Sequence, residues 1–343
     1  MSYKVESSEK LCHSASETET KAMLYLMNFR EDSDEIYYFV VDFFNDLTGM
    51  DRMSQKLWDL QSKGTSNTSS KTIGKELVTL FKNYVSPLAF DHYILFVGGV
   101  SSTVRIDPSK NVFGIENINS VQKKNIIAGL QEEAFRKTYI DNSSITEKNM
   151  NDFLQKVIFV VDDKKPCEYV KAIIKTHPHL IPNDTILTGI FNEIRNQQAS
   201  KKNNLPVEGI TIQTTDEALS YCRHLTNSEI RLVVLGRIIN RNPFEKGIPI
   251  SFLPIYNHFP PETQAKNIEE CQCALSRALF DVNNADNFWK LFETIYRLII
   301  GNPQYCVNEI FQQLDSEIKR NNICFDVLSL KYFIATIKDG VRA

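Results

Sequence analysis

The stretch Leu57–Gly64, LWDLQSKG, alternates in the manner of a β-strand. Successive side chains of a pleated strand point to opposite faces, so Trp58, Leu60 and Ser62 share one face and Asp59, Gln61 and Lys63 the other. The polar face is either solvent or a site. The flanking segments frame that choice. Upstream, DEIYYFVVDFFND is dense in aromatic and β-branched residues and reads as a strand, and TGMD supplies turn chemistry before KLWDLQSK, which together predict a hairpin. Further upstream, KAMLYLMNF places Met23, Leu24 and Met27 on a helical stripe, with Ser16 or Thr18 available as its cap. Downstream, the polar loop GTSNTSSK leads into TIGKELVTLFKNYVS, where Ile73, Leu77, Leu80, Phe81 and Tyr84 keep helical spacing. FDHYILFVGG then reads as a buried strand. Helix, strand, strand, helix, strand is the order of a mixed α/β domain with few strands.

Beyond about residue 105 the character turns helical, in NSVQKKNIIAGLQEEAFRKTYI, TEKNMNDFLQKVIFVV and the long run from CEYVKAIIK to NQQASKKNN, with Asn183 or Asp184 as a cap. NFWKLFETIYRLII, VNEIFQQLDSEIKR and VLSLKYFIATIKD continue the pattern. A chain of 343 residues with 42% hydrophobic and 24% charged residues can fill two cores. We expect an α/β domain over residues 1–155 and a mainly α-helical domain over 156–343. A formal net charge of -3 argues against a protein that coats nucleic acid non-specifically. Seven cysteines without a C-x-x-C pair fit a reduced, cytoplasmic chain. The polar N-terminus has no apolar signal region, and no segment approaches the roughly 18 continuous apolar residues of a membrane span.

The residues with chemistry sit at element ends. Asp46 falls just past the first strand, Gln61 and Lys63 on the next, and Glu19 opens the preceding helix. Two carboxylates, an amide carbonyl and a lysine at D-x14-Q-x-K spacing would make an oxygen site for a hard cation with an ammonium beside it. Such a set suits phosphodiester hydrolysis, the cation polarising the phosphate and the lysine meeting its developing charge.

On ASETETKAML, DFFND and LQSK, the segment from about Ser14 to Gly99 resembles the PD-(D/E)xK restriction-endonuclease-like nucleases, and more narrowly the dsDNA endonuclease domain of the CD-NTase-associated family of bacterial anti-phage systems. There the core helix carries an acid, the hairpin an Asp, and the third element reads Q-x-K. The resemblance implies a restriction-endonuclease-like core with a mixed central sheet flanked by helices. It also implies Mg²⁺ or Mn²⁺ as cofactor, double-stranded DNA as substrate, and Glu19, Asp46 and Gln61 as metal ligands with Lys63 as the catalytic lysine. Glu17 competes with Glu19 for its role, and Asp42 with Asp46. Glutamine at position 61 is a weaker ligand than a carboxylate, so Asp59 or Asp42 would have to help, or the DNA phosphate complete the shell. The family also implies an SMC-like or HerA-type ATPase partner (as in Lamassu systems), a homo-oligomer or hetero-complex, and a nuclease held inactive until assembly changes. The rival expectation is an adaptor derived from a nuclease that binds DNA or protein without cutting.

Other features carry blander readings. THPH places His177 and His179 about a proline with no further ligand at metal spacing, and reads as a turn. In ECQC, Cys271 and Cys273 diverge on a helix and read as buried thiols. FVGGVSST follows a strand but lacks the GxxxxGK[ST] phosphate-loop pattern. Lys123 and Lys124, and Lys201 and Lys202, read as exposed helix ends that could otherwise meet a DNA backbone. Phe288, Trp289, Phe292, Ile295, Tyr296 and Ile299 form a stripe for core packing or for a partner helix.

Overall fold

LWDLQSK is a strand along its whole length and lies at the middle of a seven-stranded sheet. The computed structural model describes residues 2–6, 16–174, 182–204, 206–244 and 247–342. Its first elements are β1 (Tyr3–Lys4), α1 (Glu17–Asn28), β2 (Tyr38–Val41), β3 (Leu47–Met50) and β4 (Leu57–Lys63). Then come α2 (Ser70–Glu76), α3 (Val78–Tyr84), β5 (His92–Val97), β6 (Val112–Phe113), α4 (Ser120–Arg136), α5 (Glu147–Lys156) and β7 (Val157–Val161). α6 (Pro166–Ile174), α7 (Asp184–Lys202), β8 (Thr211–Ile212) and β9 (His224–Thr226) follow. The chain ends in α8 (Asn227–Ile238), α9 (Leu253–Tyr256), α10 (Pro261–Phe280), α11 (Ala285–Gly301), α12 (Val307–Gln313), α13 (Ser316–Asn321) and α14 (Val327–Arg342).

The sheet is mixed, in the order β6-β7-β5-β4-β3-β2-β9. β4, β5 and β7 run parallel, and every other neighbouring pair is antiparallel. β1 and β8 form a separate antiparallel pair. The expected hairpin is a three-strand meander, because Thr48 and Gly49 belong to β3 and not to a turn. Both are fully covered, and Leu26 and Ile36 press on the sheet at Gly49. The reversal comes earlier, at Asp42–Asp46, where Asp42 adopts a left-handed φ of 48° and its N–H donates to the Asp46 carbonyl at 3.2 Å. Phe43 and Phe44, which made this segment look like a strand, are buried from within the turn. The VIFVV run continues from a helix as strand β7 and does not extend the helix. The strands are therefore more numerous than the sequence pattern suggested.

The chain divides into two units, Met1–Tyr169 with Phe191–Asn227, and Val170–Ile190 with Ser228–Ala343. This differs from a cut at residue 155, since β7 pairs with β5 and β9 extends the sheet beyond β2. The first unit is α/β. Its core includes Leu80, Phe81, Leu95, Ile126, Leu130, Phe153 and Phe159 on the side of the sheet covered by α2 to α5. In the second unit every described regular element is helical. There Phe288, Trp289, Phe292, Ile295 and Ile299 of α11 are buried, and Phe288 and Phe292 pack on Phe333 of α14 with ring centroids 5.5 and 6.2 Å apart. The aromatic stripe is core. Among the described residues no helix is long and apolar enough to cross a membrane.

Candidate active site

The polar row of β4 faces the consecutive helices α2 and α3 rather than solvent. Lys63 Nζ lies 3.5 Å from Glu76 Oε2, Gln61 Oε1 accepts from Thr79 Oγ1 at 2.7 Å, and Asp59 Oδ2 accepts from Asn83 Nδ2 at 2.7 Å. A strand period of two residues meets a helical period of three to four across this seam, so each polar strand residue finds a partner. Asp59, the innermost, is fully buried at the base of the row, next to Lys82.

Register brings the next carboxylate in. Leu47 pairs with Leu60, which sets Asp46 beside Gln61 and Ser62. Asp46 Oδ2 accepts from Gln61 Nε2 at 2.9 Å, from the Ser62 N–H at 2.9 Å and from Ser62 Oγ at 3.1 Å. Burial pushes the Asp46 carboxyl up to about 7, against the pull of the Ser62 N–H and the Lys63 ammonium, while Glu19 and Asp42 reinforce the rise.

Glu19 arrives from α1. Ser16, not Thr18, caps this helix, and Ser16 and Glu19 form a reciprocal capping box. Lys21, two residues on, fastens α1 to the segment after β7, through Asp162 Oδ2 at 2.9 Å, and Tyr169 Oη donates to the other oxygen of Asp162 at 2.9 Å. Of the two candidate acids, Glu19 faces the cluster at 16% exposure, while Glu17, at 51%, pairs with Lys21. Asp42 and Asp46 both belong to the cluster. Asp42 sits at the left-handed corner of the turn, its carbonyl held by Arg223 Nη1 at 3.1 Å. Burial raises its pKa, Lys202 opposes that, and Glu19 adds to it.

The sequence predicts an exposed helix end at Lys202. Its side chain is instead 3% exposed, with Nζ 2.6 Å from Glu19 Oε2 and 3.2 Å from Asp42 Oδ2. Burial works against this ammonium, but Asp42 and Glu19 outweigh it and hold its pKa above the ordinary value. A Gln-x-x-x-Lys pair, Gln198 and Lys202, was visible on one helix face. Its partners on α1 lie about 180 residues away and carry no local signal. A cleft of about 250 Å³ opens beside Gln61, lined by Lys75, Glu76, Thr79, Glu133 and Lys137.

As placed, this donor set does not fit a divalent cation. Gln61 turns its NH₂ toward Asp46 and gives its carbonyl to Thr79, while Glu19 and Asp42 share an ammonium. Among the described residues no three His, Cys, Asp or Glu side chains are grouped to hold a metal. The remaining sequence candidates resolve simply. His177 and His179 lie outside the described residues. Cys271 is buried but Cys273 is exposed, so only one of the two thiols matches the expectation. At FVGGVSST, a Cβ on Gly99 would lie 1.9 Å from the Ser66 carbonyl, so close backbone approach accounts for this glycine. Lys124 is exposed as expected, and Lys123 is half-buried. Compared with family models, with curated proteins and with solved structures, the chain matches none.

Proposed function

We propose that the N-terminal unit is the core of a DNA endonuclease of the restriction-like type, dependent on Mg²⁺ or Mn²⁺ and belonging to a bacterial anti-phage complex. One observation carries the reading: α1, the β2–β3 turn and β4 bring Glu19, Asp46, Gln61 and Lys63 to one end of the sheet, where Asp46 accepts a hydrogen bond from Gln61 and feels the charges of Lys63 and Glu19. The core helix, the meander and the parallel strands β4, β5 and β7 are in keeping with it. In this reading Lys63 meets the negative charge that grows on the phosphate oxygens, and Asp46, titrating near neutrality, takes or gives a proton at the attacking water. The helical unit is the proposed docking element for an SMC-like or HerA-type ATPase. Assembly then governs activity, which protects the host genome from a free nuclease.

A second reading, an adaptor that does not cut, is favoured by the commitment of Gln61 to Thr79 and of Glu19 and Asp42 to Lys202. Plasmid cleavage with Mg²⁺, with and without the proteins encoded by adjoining genes, separates the two. Under the first reading Lys63→Ala cuts at least about 100-fold more slowly than the wild type, the usual loss for a group that stabilises transition-state charge. Absence of cutting in every combination, Lys202 variants included, assigns the chain to the adaptor reading.

A further inference from the structure

We infer that the Lys202 ammonium is a built-in cation of the carboxylate cluster, one that keeps a divalent ion off Glu19 and Asp42. The inference rests on the cluster being a cation-dependent site. A small divalent ion needs these carboxylate oxygens at roughly 2.0–2.1 Å and gives up its water reluctantly. The ammonium, its side chain 3% exposed, already holds them at 2.6 and 3.2 Å. Two cations on the same oxygens repel strongly where solvent is excluded. One of the two must therefore leave.

The placement of Lys202 is constructed, not incidental. One turn earlier on the same face of α7, Gln198 Oε1 accepts from Thr20 Oγ1 at 2.8 Å, and both residues are fully buried. Two consecutive α1 residues, Glu19 and Thr20, thus dock two residues of α7 spaced by one turn. Arg223 holds the backbone carbonyl of Asp42, so the turn that carries this carboxylate has a support of its own.

Mn²⁺ binding to the full chain, read by water-proton relaxation without DNA, tests this independently of cleavage. Lys202→Gln keeps an N–H for Glu19 but removes the charge, and Lys202→Met removes both. Each is expected to bind Mn²⁺ at least about tenfold more tightly than the wild type, a gain abolished by adding Glu19→Gln. Folded variants that bind no more tightly than the wild type overturn the inference, whatever the plasmid assay shows. The wild type supplies an arm that needs no variant. In reductive methylation without metal, Lys202 should react at least about tenfold more slowly than Lys266, which is 76% exposed and acts as the reference. Equal rates would show the ammonium outside the cluster and reject the proposal. Tighter Mn²⁺ binding in the variants without any cutting would leave Lys202 as the resident cation and fail only the endonuclease reading.

Discussion

Asp46 takes three hydrogen bonds on a single oxygen and yet is buried enough for its pKa to rise to about 7. Its folded-state pKa lies above the unfolded value of 3.8, so the native protein holds a proton that the unfolded chain has released. Its contribution to stability is full below about pH 4, falls as pH rises toward 7 and is flat beyond. Asp46→Asn offers the same three donors an acceptor and carries no charge. We expect its urea midpoint to fall less between pH 5 and 8 than that of the wild type, a difference on the order of 2 kcal/mol, together with loss of any cleavage. A variant whose midpoint tracks the wild type across that range would place the carboxylate in effective contact with water. Asp46, Gln61 and Lys63 were legible from sequence because strand alternation and a short turn fix them relative to one another. Lys202 was not, since its role is set by a contact across the chain and its local setting looks like any helix end.

The β4 row against α2 and α3 shows how an element can carry a polar face and still be covered. Alternation alone told which side chains share a face, but it could not tell solvent from a helix with matching Glu76, Thr79 and Asn83. The helices can come this close because α2 crosses α4 through glycines. A Cβ on Gly74 would lie 2.0 Å from the Ile126 carbonyl, and one on Gly129 would lie 2.2 Å from that of Lys71. Gly74→Ala therefore forces two backbones apart, and we expect a loss of about 3 kcal/mol or more in urea unfolding. Gly189, on the exposed side of α7 with nothing near its Cβ position, is the contrast. Gly189→Ala should gain roughly 0.5–1 kcal/mol from helix propensity alone. If the two substitutions had the same sign, backbone proximity would not be what holds α2 on α4. The same elements explain a misreading: Thr48-Gly49 has turn composition, but tertiary packing under Leu26 and Ile36 places it in a strand.

The sheet unit is not one continuous piece of chain, and a pattern read from left to right cannot see that. Apart from β3, hidden by the turn composition of Thr48-Gly49, the order of the seven-stranded sheet was legible as far as β5, where neighbours in sequence are neighbours in space. β7, β8 and β9 were missed because each is short or follows directly on a helix, and because β9 returns to β2 only after the chain has passed through part of the helical unit. This discontinuity has a direct consequence for truncation. A chain ending at residue 169 keeps Asp46, Gln61 and Lys63 but loses four supports. Tyr38–Val40 lose their pairing with β9, β1 loses β8, the Asp42 carbonyl loses Arg223, and Glu19 and Asp42 lose Lys202. The first loss bares β2 as an unpaired edge able to recruit other chains. The last leaves two neighbouring carboxylates without their shared counter-charge. We expect residues 1–169 to aggregate or to melt without a cooperative transition, and residues 1–227 to give a cooperative melt by near-ultraviolet circular dichroism and a monomer-sized or discrete peak on size exclusion. If 1–169 melted cooperatively within a few degrees of 1–227, a difference worth about 1 kcal/mol, β9 and Lys202 would be accessories to a unit that already folds without them.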